Sequence, residues 1–341
     1  MIVGHARSGL RMLLAAGLAL SVELGLAALG GATAESKPWK CYTFIPVATD
    51  PTFQAHVALA KEVTAKTEGR IDMTCHLGGA LPIKSQTIVQ AVSDDIIQFA
   101  TANPNAFETL VPFAGVLSLP GLFADDAELD KGVKAAAPLI EKALAARGVK
   151  LLAWSHFPQA AVFGIEVVKS VKDLQGKKLR VSTPEQSEML RRLGITPVVI
   201  SSPEVSSALQ TGVIQGVITS NTGGGRAWKE FFKSSYRLGT NFTPFIFIAN
   251  QDALNALSEA DRAAFIEIVT RNADAITTDL VTSDDAVTKE FAAAGMQITY
   301  PQGDEGTLIE RTMKDYWDQW AEAKGGQAKE ALAAIRKALG K

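Results

Sequence analysis

The stretch "GKKLRVSTPEQSEMLRRLGITPVVIS", Gly176 to Ser201, holds a strand, a capped helix and a second strand in 26 residues. "KKLRVS" reads as a strand. Thr183 then stands where a helix cap belongs, Pro184 takes the first helical position and Gln186 the third, the spacing of a capping box. The helix runs through "EQSEMLRRL" to Gly194, and "ITPVVIS" is the next strand. A strand–helix–strand unit this short is the building block of a parallel sheet. It also carries Arg180 at the end of its first strand, a permanent cation at the handover to a helix. Composition alone reads Arg180 as a surface charge or an interdomain salt bridge.

The alternation continues in both directions, which points to an α/β architecture with mainly parallel sheets. Upstream, "KCYTFIPV" is the first strand. Asp50 and Pro51 open a helix through "TFQAHVALAKEVTAKT" that Gly69 ends. "RIDMTCHL" is a strand, a Gly-Gly turn and the helix "IKSQTIVQAVSD" follow, and "DIIQFATA" is the third strand. "VPFAGVLSLPGLF" has two prolines in an apolar run and reads as an irregular buried loop. A helical stretch over Asp126 to Arg147 is expected to break or kink near Pro138. "KLLAWSH" and "AVFGIEVV" are strands. Downstream, Ser202-Pro203 start a second capped helix ending near Gly212, and "VIQGVITS" and "NFTPFIFIAN" are further strands.

After Ser258, no proline or glycine occurs until Gly295. A helix from Glu259 to Ala294 would be roughly 54 Å long at 1.5 Å per residue, more than one small domain needs. Thr277, Thr278, Asp279, Thr282, Ser283, Asp284 and Asp285 break its apolar face, and a clean coiled-coil repeat is missing. A helix lying across two domains fits that pattern. The last expected helix, "LIERTMKDYWDQWAEAK", has Leu308, Met313, Tyr316, Trp317 and Trp320 as a packing stripe. The expected division is residues 35–156 with 241–283 in one domain, and 157–240 with 284–341 in the other.

The chain has 341 residues, 47% hydrophobic and 21% charged, and a formal net charge of −2. That suits a globular protein with a sizeable core and gives no electrostatic footprint for nucleic acid. Residues 1–34 read as a cleavable export signal, with Arg7 and Arg11 before a Leu/Ala-rich run and Ala32-Thr33-Ala34 at its end. Glu23 interrupts the run, so an uncleaved anchor is the competing reading. A periplasmic location follows from export. The two cysteines, Cys41 and Cys75, both fall in expected strands. An oxidising compartment permits a disulfide between them, and two buried free thiols fit as well. They do not form a metal site.

Catalytic signatures are missing: there is no H-E-x-x-H, G-x-S-x-G or P-loop pattern. His56, His76 and His156 fall on separate elements and read as structural or surface residues. Gly223-Gly224-Gly225-Arg226 before a helix could hold an anion, but a flexible turn between elements is the plainer reading. No enzyme activity, metal or cofactor is expected.

The blocks "EGRIDMTCHLGGAL", "LSLPGLF", "DLQGKKLRVS" and "GITPVVISSPEVSSALQTGVIQGV", with the long helix after "NALSEADRAAF", resemble the substrate-binding proteins of TRAP (tripartite ATP-independent periplasmic) transporters. The resemblance covers nearly the whole chain after residue 34. It implies a periplasmic binding protein-like fold in which two α/β domains close on a ligand in the cleft between them and a long helix spans both. It also implies an organic-acid ligand that passes to a sodium-driven membrane permease. The arginine of the family's "RVP" motif, which pairs with the substrate carboxylate, corresponds to Arg180.

Departures from the pattern narrow the expectation. "RVP" is "RVS" here. A second cleft arginine of many members falls on Gln159 or Ala160, and the asparagine of "DGQENP" falls on Thr219, with Asn221 two residues on. Loss of a second cationic anchor disfavours dicarboxylates and sugar acids. Trp154, Phe157, Phe163 and Phe242 lie at or near strand ends on the expected cleft, and Thr101 and Asn103 end the third strand. The expected binding set is Arg180 as anchor, Thr219, Asn221, Asn103 and Gln159 as hydrogen-bonding partners, and Trp154, Phe157 and Phe242 as walls. Such a set suits an aromatic or branched monocarboxylate or 2-oxo acid. A ligand sensor for a membrane receptor would use the same features, and a secreted α/β enzyme is the more distant rival.

Overall fold

The computed structural model describes residues 36–341 apart from Glu108. The export signal read at residues 1–34 lies outside the described residues. In chain order the strands are β1 (Lys37–Tyr42), β2 (Ile71–His76), β3 (Phe99–Ala102), β4 (Val149–Phe157), β5 (Ala161–Gly164), β6 (Lys178–Val181), β7 (Thr196–Val199), β8 (Gly216–Thr219), β9 (Ser234–Tyr236), β10 (Thr243–Asn250) and β11 (Gln297–Thr299). The α-helices are α1 (Pro51–Lys66), α2 (Ile88–Ser93), α3 (Asp126–Ala145), α4 (Pro184–Arg192), α5 (Val205–Gln210), α6 (Gln251–Asn255), α7 (Glu259–Thr282), α8 (Asp284–Ala293), α9 (Leu308–Lys324) and α10 (Gly326–Leu339).

The strands form a five-stranded sheet, ordered β2-β1-β3-β10-β4, and a six-stranded sheet, ordered β11-β9-β5-β8-β6-β7. Both are mixed: β10 runs antiparallel between β3 and β4, and β5 antiparallel between β8 and β9. The unit β6–α4–β7 folds as its sequence dictates. Thr183 Oγ1 accepts the amide of Gln186, and Gln186 Oε1 accepts the Ser182 amide, one residue before the usual capping-box partner. β9 and β11 escape the sequence pattern because each is three residues long and mostly polar. Ser234 in β9 is fully buried and settles its hydroxyl on Glu166 O.

The chain crosses between the sheets from β4 to β5 and back from β9 to β10. The crossing segments bond to each other, Ala160 N to Asn241 O at 2.8 Å and Thr240 N to Ala160 O at 3.0 Å. The third crossing is the helix after Ser258, whose hydroxyl caps it on the Asp261 amide. α7 buries Phe265, Ile268, Val269 and Ile276 on the first sheet's side. α8 buries Val287 and Phe291 in the second core.

The single helix expected to Ala294 is thus two helices, parted at Ser283. Thr277, Thr278 and Thr282 turn their hydroxyls back onto carbonyls four residues earlier, which weakens and bends a helix at that point. The break expected at Pro138 does not occur, and α3 runs unbroken from Asp126 to Ala145. Pro138 is exposed, so the carbonyl that loses its partner can turn to water. Residues 284–299 pack on the second core. α10, however, lies against α3 on the first sheet's side, so the segment 284–341 is shared between the halves.

Cys41 and Cys75 are directly opposed in the β1–β2 register and joined by a disulfide. His56 is a core histidine: it is fully buried, stacked 5.6 Å from Phe247, and bonded through Nδ1 to Thr52 O. Burial drives its pKa down to about 4, against the pull of the Thr52 carbonyl, so it is neutral at pH 7. Between that value and its ordinary 6.5 the unfolded chain binds a proton the folded chain refuses. Stability is therefore lost as pH falls through this window, by about 3 kcal/mol at this one residue. His56→Gln should show a shallower fall in Tm between pH 7 and pH 4 than the parent protein; identical slopes would refute the assignment.

Candidate functional site

A cleft partly open to solvent lies between the two sheets. It gathers at the C-terminal ends of β1, β3, β6 and β8, where open α/β sheets offer ligands their loops and helix starts. The first half supplies Phe44, Ile45, Pro46, Asp50, Asn103, Phe157 and Thr243. The second half supplies Arg180, Ser182, Ser202, Ile218, Thr219, Ser220, Ala227, Trp228 and the glycines 223 and 224.

Arg180 is the one cation lining this cleft among the described residues. It sits on β6, one strand in from the β7 edge of the second sheet, opposite Val198 of β7 and Val217 of β8, and is 4% exposed. Its Nε donates to Ile200 O at 2.9 Å, and its guanidinium carbon lies 5.8 Å from the centre of the Trp228 ring. No carboxylate among the described residues comes within 4.0 Å, and the terminal nitrogens make no hydrogen bond within the described chain. Burial lowers its pKa to about 10, partly countered by the Glu204 carboxylate, so it stays charged at neutral pH. One edge of the guanidinium is fixed by backbone and ring; the other is free to grip a carboxylate with two parallel bonds.

The glycine turn gives this wall its shape. Gly223 N donates to Ser220 Oγ, Gly224 N to Thr219 Oγ1, and Gly225 N to Ser220 O. These amides are consumed by the chain itself and cannot cradle an anion. The glycines are there for closeness: a Cβ on Gly224 would stand 2.3 Å from the Trp228 ring and 2.5 Å from Thr219 Oγ1. The turn is therefore a tightly packed part of the cleft wall, where the sequence suggested a flexible connection. Thr219 Oγ1 accepts from Gly224 and keeps its own proton for a ligand.

Of the residues expected here, Arg180, Thr219, Asn103 and Phe157 meet in the cleft. Four others lie elsewhere. Asn221 is fully buried and its Nδ2 donates to Thr288 Oγ1 at 2.7 Å and Asp284 Oδ2 at 3.3 Å, which ties the turn to α8. Gln159 packs over Gly239, where a Cβ would stand 2.8 Å from the amide oxygen. Trp154 faces a separate groove with Asp274 and Thr277 of α7. Phe242 is 2% exposed, with its ring 6.2 Å from His156. The alternating pleat explains one of these, since Trp154 and Phe157 point to opposite faces of β4; Asn221 lies past the end of β8, in the turn Asn221–Gly225. Thr101 and Phe163 are fully buried and do not line the cleft.

The sequence reading missed Trp228, Phe44 and Asp50 as wall residues. Asp50 had a visible signal, since an acidic helix cap right after the first strand stands at the end of the sheet where ligands bind. Its Oδ1 accepts the amides of Thr52 and Phe53, which caps α1. Burial raises its pKa despite those amides and the charge of Arg226. Trp228 is recognisable only once the Gly223–Gly225 turn is known to bring it beside Arg180.

Comparison with known proteins agrees with this architecture. Residues 45–324 match the family model for bacterial extracellular solute-binding proteins, family 7. The ectoine/5-hydroxyectoine-binding periplasmic protein UehA of Ruegeria pomeroyi is 29% identical over 197 residues, 56% of this chain and 57% of that protein. A solute-binding protein of Chromohalobacter salexigens is 28% identical over 203 residues, 59% and 58% of the two chains. The chain thus aligns with a little over half the length of the curated relatives it matches. An extracytoplasmic solute receptor of Bordetella pertussis that binds pyroglutamic acid has the same fold, with a TM-score of 0.80 at 22% identity, covering 88% of this chain and 99% of that one. A TRAP periplasmic binding protein of Chromohalobacter salexigens with bound D-glucuronate gives 0.78 at 22% identity, covering 88% and 99%.

The close approach at Gly224 makes a direct prediction. Gly224→Ala should push Trp228 off its seat, lower Tm as overpacking does, and weaken ligand binding by about tenfold or more, equivalent to about 1.4 kcal/mol. Unchanged affinity by calorimetry would show that the Trp228 position does not matter. With the family model matching most of its length and the fold shared with solved receptors, the chain belongs to the TRAP-type bacterial extracellular solute-binding proteins of family 7, which bind solutes and are not enzymes.

Proposed function

We propose that this protein captures a small organic acid with a single carboxylate outside the cytoplasm and delivers it to a sodium-coupled TRAP permease. One observation carries the reading: Arg180 is buried in the cleft with its outer edge unpartnered, and it is the cleft's one cation among the described residues. A dicarboxylate would leave its second charge without a counterion. Phe44, Phe157 and Trp228 offer apolar faces for the body of the ligand, in keeping with an aromatic, branched or cyclic monocarboxylate.

The relatives support the class without fixing the compound, since their ligands include ectoines, pyroglutamic acid and D-glucuronate. Capture would proceed by hinge closure about the two crossing segments and the Ser283 joint. Export through the signal at residues 1–34 places the receptor in the periplasm on this reading. No helix among the described residues is long and apolar enough to cross a membrane.

Arg180→Met tests the anchor. Removing a buried, unpaired charge relieves a desolvation cost, so the ligand-free variant should keep or raise its Tm. Its affinity for the acid that co-purifies with the parent protein, identified by mass spectrometry, should fall by about a hundredfold, some 2.7 kcal/mol for a charge-assisted grip. Near-parental affinity would refute the anchoring role.

A further inference from the structure

We infer that the ligand is a zwitterion, its carboxylate held by Arg180 and a protonated nitrogen held by Asp50 on the opposite wall. The inference rests on the reading of the cleft as a carboxylate receptor and adds the second half of the ligand.

Arg180 comes from the second half of the molecule and Asp50 from the first, yet both line the same cavity. They do not pair with each other, since no carboxylate among the described residues lies within 4.0 Å of Arg180. Asp50 is 7% exposed; its Oδ1 accepts the α1 amides, and the Thr52 hydroxyl also helps hold its charge. Oδ2 accepts no hydrogen bond among the described residues. The charge of Arg226 acts on Asp50, but no ion pair joins them.

A second acceptor stands on the same wall. Asn103, also 7% exposed, lines the cleft with its Oδ1 buried and without a partner among the described residues. A buried acceptor without a donor is costly, so Asn103 Oδ1 calls for a donor from the ligand, while Asp50 Oδ2 is uncommitted and reachable from the cleft.

Charge decides which donor. The lining carries one cation and one anion. A simple organic anion would neutralise Arg180 and leave the Asp50 carboxylate buried and unmatched beside a second negative charge. A sugar acid would offer hydroxyl donors but leave the same imbalance. A ligand with a carboxylate at one end and an ammonium, iminium or amidinium N–H at the other matches both walls. Burial already strains the ionised form of Asp50, and a cationic N–H would relieve that strain. The ring faces of Phe44, Phe157 and Trp228 leave the middle of the ligand apolar and compact, as in a cyclic amino acid.

Calorimetry on the full-length mature protein with matched probes tests this. Proline and ectoine supply a cationic N–H, pyroglutamate a neutral N–H, and tetrahydrofuran-2-carboxylate none. At least one zwitterion should bind about tenfold or more tighter than both anionic probes. Asp50→Asn should abolish that preference. Asparagine caps a helix as well as aspartate does, so the variant should keep the parental Tm. If the anionic probes bind as tightly as the zwitterions, or if the preference survives in Asp50→Asn, the inference is overturned. Arg180→Met then reports separately on the carboxylate reading, which stands if that variant loses all four probes. If the parent protein binds none of the four but binds another acid that lacks a cationic nitrogen, the inference fails alone. If it binds no carboxylate, both fail.

Discussion

A buried guanidinium with no carboxylate beside it among the described residues is the constraint around which the cleft is arranged. The arrangement works because Arg180 is held without being neutralised. Ile200 O takes one N–H, and the Trp228 ring covers the cation with its electron-rich face. Trp228 in turn needs a backbone with no side chain beneath it, which is why Gly224 stands where it does. The glycine turn closes on itself through Thr219 and Ser220, so the wall keeps its shape in the empty protein. Preorganisation of this kind lowers the ordering cost of binding.

The turn is also connected to the joint of the molecule. Asn221 opens it and reaches Asp284 and Thr288, at the start of α8, while Asp284 pairs with Arg237 beside the returning crossing. The ligand wall, the break between α7 and α8, and one of the two crossing segments thus share a single polar cluster. On the other side, Gln186 at the start of α4 bonds Asn241 of the same crossing, and Trp320 of α9 bonds the buried Glu185. Asn221, expected as a ligand contact, is part of this framework.

Local signals were legible and long-range geometry was not. Thr183, Pro184 and Gln186 announced α4 because caps depend on neighbours in sequence, and Asp50 with Pro51 announced α1 for the same reason. The long helical stretch after Ser258 followed from the absence of breakers. Its interruption at Ser283 was hidden because no glycine or proline marks it; only the hydroxyls of Thr277, Thr278 and Thr282 do. Arg180 stood out by resemblance, and its burial and open edge required the folded chain. The pleat of β4 sends Trp154 and Phe157 to opposite faces, a choice that fixes which aromatic meets the ligand and that depends on register. Asp50 was legible as the cap of α1, and its place on the cleft wall followed only from the folded chain.

The disulfide has a consequence for how the two walls can diverge over time. It staples β1 to β2 a few residues before Phe44, Ile45 and Asp50, so the loop that carries them starts from a cross-linked base. A loop anchored that way can exchange side chains without losing its path. On the facing wall, the glycine turn, Trp228 and Arg180 depend on one another for their positions, and a change in any one disturbs the rest. New ligand preferences in such a receptor would arise on the stapled side, with the cation side inherited unchanged.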